Sequence, residues 1–291
     1  MESEASVWEK IITIYSPGGG TGKSEIAASL AYLLGKKGKK VWLIDANLFA
    51  PSLDILFNIS YNHCDTLTEF IINEEVSEIP VCNISHIIIP HSGGQLYLTP
   101  CIRYDADKRF KAEEALVDDI NACEKIPEAL SSGLGEEIDF IIVDTHPGFE
   151  RINQVWLGIT KYLLIVSRMN DIDVENLKML LKDRNILDIW KKLIVFNNVY
   201  LDEDRNAFQT MENHQMIAKF LNICQNPAII TGTQGGHGTT VEIFRHSIPY
   251  SEALASYPRE KGLYIKSHPV STFATILESL SEKIHEDFSI D

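Results

Sequence analysis

Cysteine is scarce in this sequence, and no cysteine lies in a metal-binding pattern. The five cysteines are odd in number and form no C-x-x-C pair, and the nine histidines include no H-E-x-x-H motif. These absences argue against the usual zinc and iron–sulfur sites and against a disulfide framework. We therefore expect reduced, buried thiols at the five positions, which are Cys64, Cys82, Cys101, Cys123 and Cys224.

Long apolar runs and positive charge are also in short supply. No stretch approaches the ~18 uninterrupted apolar residues of a membrane span, and residues 1–5 are acidic where a signal peptide is basic. Lys and Arg number 26 against 41 Asp and Glu, a net charge of −15. Such a molecule lacks the positive field that attracts DNA or anionic lipid without sequence preference. We predict a cytoplasmic protein that binds neither nonspecific DNA nor membranes.

The chain does have a regular alternation of apolar runs and helical patterns. Five short, unalternating apolar runs are typical of parallel strands covered on both faces. They lie at 11–14, 41–44, 140–143, 163–166 and 193–196. The alternation predicts an α/β fold with a single doubly wound, mostly parallel β-sheet and helices on both faces, in one domain over residues 1–291.

The remaining segments carry weaker patterns. We expect further helices at 26–34, 67–71, 112–130, 174–187, 211–221 and 271–286, strands at 87–89 and 96–98, and a mobile glycine-rich loop at 231–240.

The strongest signal is a glycine-rich loop between the first strand and the first helix. Residues 19–24 read Gly-Gly-Thr-Gly-Lys-Ser and match G-G-x-G-K-[ST]. Glycines let backbone N–H groups surround a phosphate at the positive end of a helix, Lys23 can reach the β- and γ-phosphates, and Ser24 can supply a hydroxyl to Mg²⁺. The loop predicts ATP or ADP with Mg²⁺ as cofactors. Its binding residues are Gly18, Gly19, Gly20, Thr21, Gly22, Lys23 and Ser24.

The end of the strand at 140–143 carries two features that complement this loop. Asp144 can accept a hydrogen bond from a Mg²⁺-bound water, so Ser24 and Asp144 are the candidate metal residues. Pro147 and Gly148 let the backbone approach a γ-phosphate, since Gly148 has no Cβ. The same residues are also compatible with a solvated carboxylate and an ordinary turn.

Five segments, in this order, resemble the ParA/MinD family of deviant Walker A ATPases, which are P-loop NTPases of the SIMIBI type. The loop at 18–24 is followed by a D-x-D-x-x-x-P-S-[LIV]-like segment at 45–53 and D-x-x-P-G at 144–148. V-x-N-x-V at 195–199 and I-P-[YF] at 248–250 complete the set. The resemblance covers about residues 11–285 and implies the doubly wound fold predicted above.

The resemblance also implies roles for single residues. Asp45 and Asn47 occupy the first switch, and Asp144 ends the Walker B strand, so with Lys23 they form the candidate catalytic group. Gly148 lies in the second switch, Asn197 stands where relatives contact adenine, and Pro249 lies in the turn that packs against the base. From the residues alone, Asn197 can equally be a strand-end turn residue.

Two positions depart from the family pattern. Gly18 stands where the family carries its signature lysine, which acts across the dimer, and Asn47 replaces the second Asp of D-x-D. An amide can orient water but cannot accept its proton, so we expect slow hydrolysis with binding preserved. Four cations could replace the lysine, and spacing does not select among them: Arg103, Lys108, Arg109 and Lys111.

The resemblance implies an ATPase switch that acts by nucleotide-dependent homodimerisation on a protein partner, which the sequence does not identify, in intracellular positioning or partitioning. The alternative is a degenerate nucleotide-binding scaffold without significant turnover. A kinase or amidoligase on a related fold would need a second-substrate motif, which is not visible. The acidic residues 282–291 differ from a basic amphipathic membrane tail.

Overall fold

The computed structural model describes residues 7–60, 65–118, 120–131, 134–148, 151–183, 186, 188–199 and 240–289. The helix expected at 211–221 and the loop expected at 231–240 lie outside these residues, apart from Thr240.

Eight strands form one sheet, in the order β3-β4-β2-β5-β1-β6-β7-β8. They are β1 (Ile11–Tyr15), β2 (Lys40–Ala46), β3 (Cys82–Asn83), β4 (Gln95–Thr99), β5 (Phe140–Thr145), β6 (Tyr162–Ser167), β7 (Lys191–Phe196) and β8 (Thr240–Ile243). The short edge strand β3 pairs antiparallel with β4, and every other pairing among the described strands is parallel. The predicted mostly parallel sheet is confirmed; the single-domain assignment stays a prediction.

Helices cover both faces of the sheet. They are α1 (Lys23–Lys36), α2 (Leu53–Phe57), α3 (Leu67–Ile72), α4 (Ser85–Ile88), α5 (Ala106–Asp118), α6 (Ile120–Leu130), α7 (Leu134–Glu137), α8 (Arg151–Ile159), α9 (Asp171–Leu180), α10 (Glu252–Ala255), α11 (Tyr264–Ser267) and α12 (Thr272–Asp287). Alternate strand residues face opposite sides, as the pleat requires. Ile12 packs in one buried cluster with α1 and α12, whereas Ile11 packs in another with Trp156 of α8.

The strand expected at 87–89 is wrong, because this segment forms the end of α4. The Asn83 side chain accepts from the Ser85 N–H at 3.0 Å, and Ile88 N–H donates to the Ile84 carbonyl at 3.0 Å. Ile88 is buried against the α1 side of the sheet, while Ile87 is 47% exposed. The hydrogen bond at Asn83 and the one-sided burial therefore override the strand propensity of three consecutive isoleucines.

The helix expected at 112–130 is two helices in the structure, α5 and α6.

The cysteine prediction holds for Cys101 but not for Cys82. Cys101 is a buried thiol 3.0 Å from the Thr68 hydroxyl, and burial raises its pKa to about 12. Cys82 is disulfide-bonded, so the expectation of a reduced thiol is wrong at this position.

None of the helices in the described parts of the chain has the length and apolar character needed to span a bilayer.

Candidate functional site

Strand order brings three loops to one edge of the sheet. Strand β5 lies between β1 and β2, with Asp144 in register with Ile14 on one side and with Asp45 on the other. Because the carboxyl ends of parallel strands meet at the same edge, the loops that follow these strands converge. They line a cavity of about 480 Å³ between the glycine-rich loop, the segment from Asn47 to Ser52, and the segment from His146 to Pro147.

The backbone of the glycine-rich loop has the conformation that its sequence predicts. Gly20 and Gly22 have φ of 70° and 84°, in the left-handed region that favours glycine. A Cβ at Gly22 would lie 2.3 Å from Nδ2 of Asn197, whereas a Cβ at Gly20 would meet no atom within 4 Å. Gly22 is thus required by both conformation and space, and the loop ends directly at the N-terminus of α1.

Lys23 is held along this loop by a short chain of hydrogen bonds. Its Nζ donates to Oγ of Ser16 at 2.9 Å, and the Ser16 hydroxyl donates to the Gly18 carbonyl at 2.6 Å. Burial lowers the pKa of Lys23, and the nearby Asp144 partly opposes this. The ammonium therefore lines the cavity with a neutral hydroxyl as its partner, and a phosphate would be a stronger one.

Asp144 is a buried carboxylate whose oxygens have no well-formed hydrogen bond. The residue is fully buried, and neither Oδ1 nor Oδ2 has a partner within hydrogen-bonding geometry. Burial raises its pKa to about 6, while the Ser24 hydroxyl and the Lys23 charge lower it. Leaving a buried carboxylate unsatisfied is costly, so this position fits a cation or a cation-bound water.

The metal would need ligands besides the protein. No group of three or more His, Cys, Asp or Glu side chains suited to a metal occurs among the residues that the structure describes. Ser24 and Asp144 therefore fit a Mg²⁺ ion that keeps waters and is bound largely through phosphate oxygens, as Mg²⁺ prefers.

Asp45 binds the backbone of the first switch. Its carboxylate accepts backbone N–H groups from Ser52 at 3.0 Å, Leu53 at 3.1 Å and Asn47 at 3.2 Å. Burial and the neighbouring Asp144 raise its pKa to about 7, whereas these three bonds lower it. The oxygens of Asp45 are thus occupied by the backbone, and Asp45 is not among the residues that line the cavity.

Asn47 joins the two switches. Its Oδ1 accepts from the Ala50 N–H at 3.1 Å and lies 2.8 Å from Nδ1 of His146. An amide oxygen can only accept, so His146 donates from Nδ1. The ring of Phe49 packs on that of His146 at 4.9 Å between centroids. His146 therefore contacts two residues of this site, which the amino-acid sequence did not indicate.

The other predicted binding residues lie on the loop or beyond it. Gly148 has φ of 92°, and its N–H donates to the Ser16 carbonyl at 3.2 Å. Asn197 donates from Nδ2 to the Thr21 carbonyl at 2.7 Å, and Pro249 forms a parallel bridge with Val199. Asn197 and Pro249 are not in the walls of the 480 Å³ cavity: Asn197 lies beside the loop after the end of β7, and Pro249 lies next to Val199.

Two ion pairs near the loop carry no sequence signal, because their partners are distant or lie outside any motif. Arg259 donates from Nη1 to Oε2 of Glu25 at 2.7 Å, and both residues line the cavity. Arg168 pairs with the buried Asp173 beside Gly18. No periodicity brings residue 259 to residue 25; only the path of the chain does.

Comparisons with known proteins agree with this geometry. Residues 9–195 match the AAA_31 family, described as an AAA domain. The flagellum site-determining protein YlxH of Helicobacter pylori is 31% identical over 160 residues, covering 54% of this chain and 48% of that protein. The septum site-determining protein MinD of Thermotoga maritima is 28% identical over 141 residues, covering 48% and 45%. The chain thus matches about half the length of these relatives.

Solved structures share the fold at low sequence identity. The cell division ATPase MinD of Pyrococcus furiosus has a TM-score of 0.64 and 21% identity, covering 96% of this chain and 99% of that one. A variant of McdA from Cyanothece, solved in complex with ATP, has a TM-score of 0.71 and 18% identity, covering 95% and 96%.

The family match extends over well more than half of the 291 residues, and it includes the glycine-rich loop, the first switch and the Asp144 strand. The chain therefore belongs to the AAA_31 family and has the fold of the ParA/MinD-type P-loop NTPases.

Proposed function

We propose that this chain is a slow ATPase switch, which binds Mg-ATP at the 18–24 loop, dimerises with a second copy in response, and acts on a protein partner in intracellular positioning. The observation that carries the proposal is the pair of unsatisfied Asp144 oxygens, buried beside Ser24 and Lys23, which line the cavity. A phosphate-bound cation, or its bound water, would satisfy this carboxylate.

The chain's own residues have separable tasks in hydrolysis. The loop N–H groups and Lys23 hold the phosphates, and Asp45 keeps the first switch in place through its three backbone bonds. Mg²⁺, when bound, supplies Lewis-acid polarisation of phosphate oxygens. Asn47 can orient water only through its amide nitrogen, because its Oδ1 already accepts from Ala50 and His146, and an amide does not take up a proton from water. Positioning dominates this reaction, so the site supports slow rather than absent turnover.

The partner assignment rests on relatives. YlxH and MinD carry the names of site-determining proteins, and the Aquifex aeolicus MinD has been solved as a MinC:MinD complex. We propose by analogy a protein partner for this chain, recognised in its ATP-bound dimer, and a cytoplasmic location. The chain shares about half of its relatives' length, so the partner's identity is not transferred.

A second candidate function is a nucleotide-binding scaffold without turnover. The occupied Asn47 oxygen favours it, since no carboxylate among the described cavity residues stands in the place that the family's second Asp takes. Phosphate release in a single turnover separates the two functions.

The test of nucleotide binding is titration calorimetry with ATP in the presence and absence of Mg²⁺. Lys23→Ala removes the cation from the phosphates and should weaken binding by about 1.5–3 kcal/mol, roughly 10- to 150-fold. Lys36→Ala is the matched control, because Lys36 is an exposed lysine at the other end of α1. If Lys23→Ala binds ATP as well as the unchanged chain, the proposed site is wrong.

A further inference from the structure

Arg168 lies directly beside Gly18, at the rim of the glycine-rich loop. A Cβ built on Gly18 would lie 3.7 Å from Oδ1 of Asp173 and 3.9 Å from Nη2 of Arg168. Gly18 has no positive φ, so its missing side chain is not a backbone requirement. The absence of a side chain at residue 18 leaves room that the Arg168–Asp173 pair borders.

Asp173 holds the guanidinium of Arg168 in place but does not occupy all of its hydrogen-bond donors. Asp173 is 1% exposed and accepts from Nε at 3.0 Å and from Nη2 at 3.4 Å. It also accepts the Arg168 backbone N–H at 3.1 Å. A guanidinium has five N–H donors, so three remain after these two contacts, on a side chain that is 42% exposed. Arg168 is therefore a cation that Asp173 holds in one orientation and that keeps donors available to a ligand.

The position of Arg168 determines which phosphate groups its guanidinium can contact. Arg168 does not line the cavity that Lys23, Asn47 and His146 line. Its remaining donors lie on a partly exposed side chain beside Gly18, where a second copy can meet them in the proposed dimer.

None of the four cations considered from the sequence lies beside Gly18, where a Cβ would meet Asp173 and Arg168. Arg103 pairs with Asp54, Lys108 donates to Glu69 at 2.8 Å, and Arg109 donates to the Phe49 carbonyl at 2.7 Å. Lys111 is exposed on α5.

We propose that Arg168 contacts the phosphates of the nucleotide bound by a second copy of this chain, and that it supplies the positive charge that residue 18 does not carry. The proposal rests on the proposed nucleotide-dependent dimer. Charge spreads over the γ-phosphate oxygens in the transition state, and the planar fork of an arginine matches them. Arg168 forms no covalent bond and transfers no proton; ATP and water still give ADP and phosphate.

The experiment compares four variants with the unchanged chain. Arg168→Ala leaves the buried Asp173 charge unpaired and can destabilise the fold, so Arg168→Ala/Asp173→Asn removes both charges together. Gly18→Lys is added to this pair as a rescue, since its Cβ would meet only ordinary contacts at 3.7 and 3.9 Å. Arg245→Ala is the control, because Arg245 is an exposed arginine that contacts Ser279.

Three quantities are measured for each variant: Mg-ADP affinity by calorimetry, Mg-ATP-dependent dimerisation by sedimentation, and single-turnover phosphate release at several protein concentrations. We expect Arg168→Ala/Asp173→Asn to keep its Mg-ADP affinity within about twofold. Its phosphate release or its dimerisation constant should fall at least tenfold, since charge-stabilising arginines of this kind contribute about 10³–10⁵ in rate. Gly18→Lys should restore a large part of the loss, which a structural role for the ion pair would not allow.

Equal phosphate release and dimerisation by the unchanged chain and Arg168→Ala/Asp173→Asn would overturn the proposal. So would a loss that Gly18→Lys does not restore, or a loss confined to Mg-ADP affinity. A chain that binds Mg-ATP but neither dimerises nor releases phosphate also overturns it. Failure of the unchanged chain to bind Mg-ATP overturns the proposed function itself, so the two failures are distinguishable.

Discussion

Asn197 donates from its side-chain amide to the carbonyl oxygen of Thr21 at 2.7 Å, and so it fastens the end of β7 to the glycine-rich loop. The two residues are 176 positions apart in the chain. The contact also sets the space around Gly22, whose virtual Cβ lies 2.3 Å from the same Asn197 nitrogen.

This relationship predicts a coupled pair of substitutions. Gly22→Ala should lower the free energy of unfolding by more than the ~1–2 kcal/mol of a left-handed alanine, because the methyl group also collides with Asn197. Gly22→Ala/Asn197→Ala removes the collision, so its loss should be smaller than the sum of the two single losses. Gly20→Ala is the control, since Gly20 has φ of 70° but open space around it. Urea denaturation gives the four values, and strict additivity would contradict the contact.

Asn47→Asp should speed hydrolysis. Aspartate can keep the acceptor that binds Ala50 and His146, and it adds a second oxygen that can accept a proton from water. General bases contribute about 10²–10⁴-fold, so we expect at least a tenfold faster single turnover at an ATP affinity changed by less than about threefold.

Asn47→Ala is the matched control for this change. It removes the link between the switches and should slow turnover. A parent chain that already hydrolyses several ATP per second, or an Asn47→Asp variant that is slower than it, would show that another residue carries this chemistry.

The Glu25–Arg259 pair should tune nucleotide affinity. Burial raises the pKa of Glu25, and the Arg259 hydrogen bond and charge lower it. Arg259→Ala therefore leaves a buried carboxylate uncompensated in the phosphate cavity, one residue after Ser24. Because Arg259 is 41% exposed, we expect a modest loss of stability of about 1 kcal/mol, with roughly tenfold weaker ATP binding.

Arg259→Ala/Glu25→Gln should recover most of that affinity, since it removes the negative charge as well. Calorimetry at constant ionic strength measures both variants. Unchanged affinity in Arg259→Ala would show that this ion pair is independent of the nucleotide site.

Nonspecific DNA and anionic vesicles should bind this protein weakly. A net charge of −15 opposes the release of counterions that drives such binding. Co-sedimentation with duplex DNA or with phosphatidylserine vesicles, at about 0.15 M salt with Mg-ATP present, should leave most of the protein in the supernatant. Retention of most of it on either surface would contradict this prediction.

Sequence patterns were sufficient for the sheet and for its main binding loop. The five apolar runs form β1, β2, β5, β6 and β7 in the structure. A strand that is buried on both faces has apolar residues at every position, so it can be recognised in the sequence as a continuous apolar run. The glycine-rich loop could also be recognised from the sequence, because Gly20 and Gly22 adopt a positive φ that few other residues adopt.

Patterns failed where local preference and tertiary burial disagree. Three consecutive isoleucines at 87–89 favour a strand, but the Asn83 side chain accepts the Ser85 N–H before them and only part of the run is buried, so the chain forms α4 up to Ile88. The edge strand β3 has two residues, too few for any periodicity to register.

Sequence alone therefore determined the five central strands of the sheet and the glycine-rich loop, and it predicted the residue types for Mg-ATP binding, because each of these features depends on neighbouring residues. Tertiary structure alone decided that Asn197 fastens the loop, that His146 binds Asn47, and that Arg168 borders Gly18. The physical reason is that these contacts join ends of different strands, 99 to 176 residues apart for the first two, and strand order, rather than spacing along the chain, sets which ends meet.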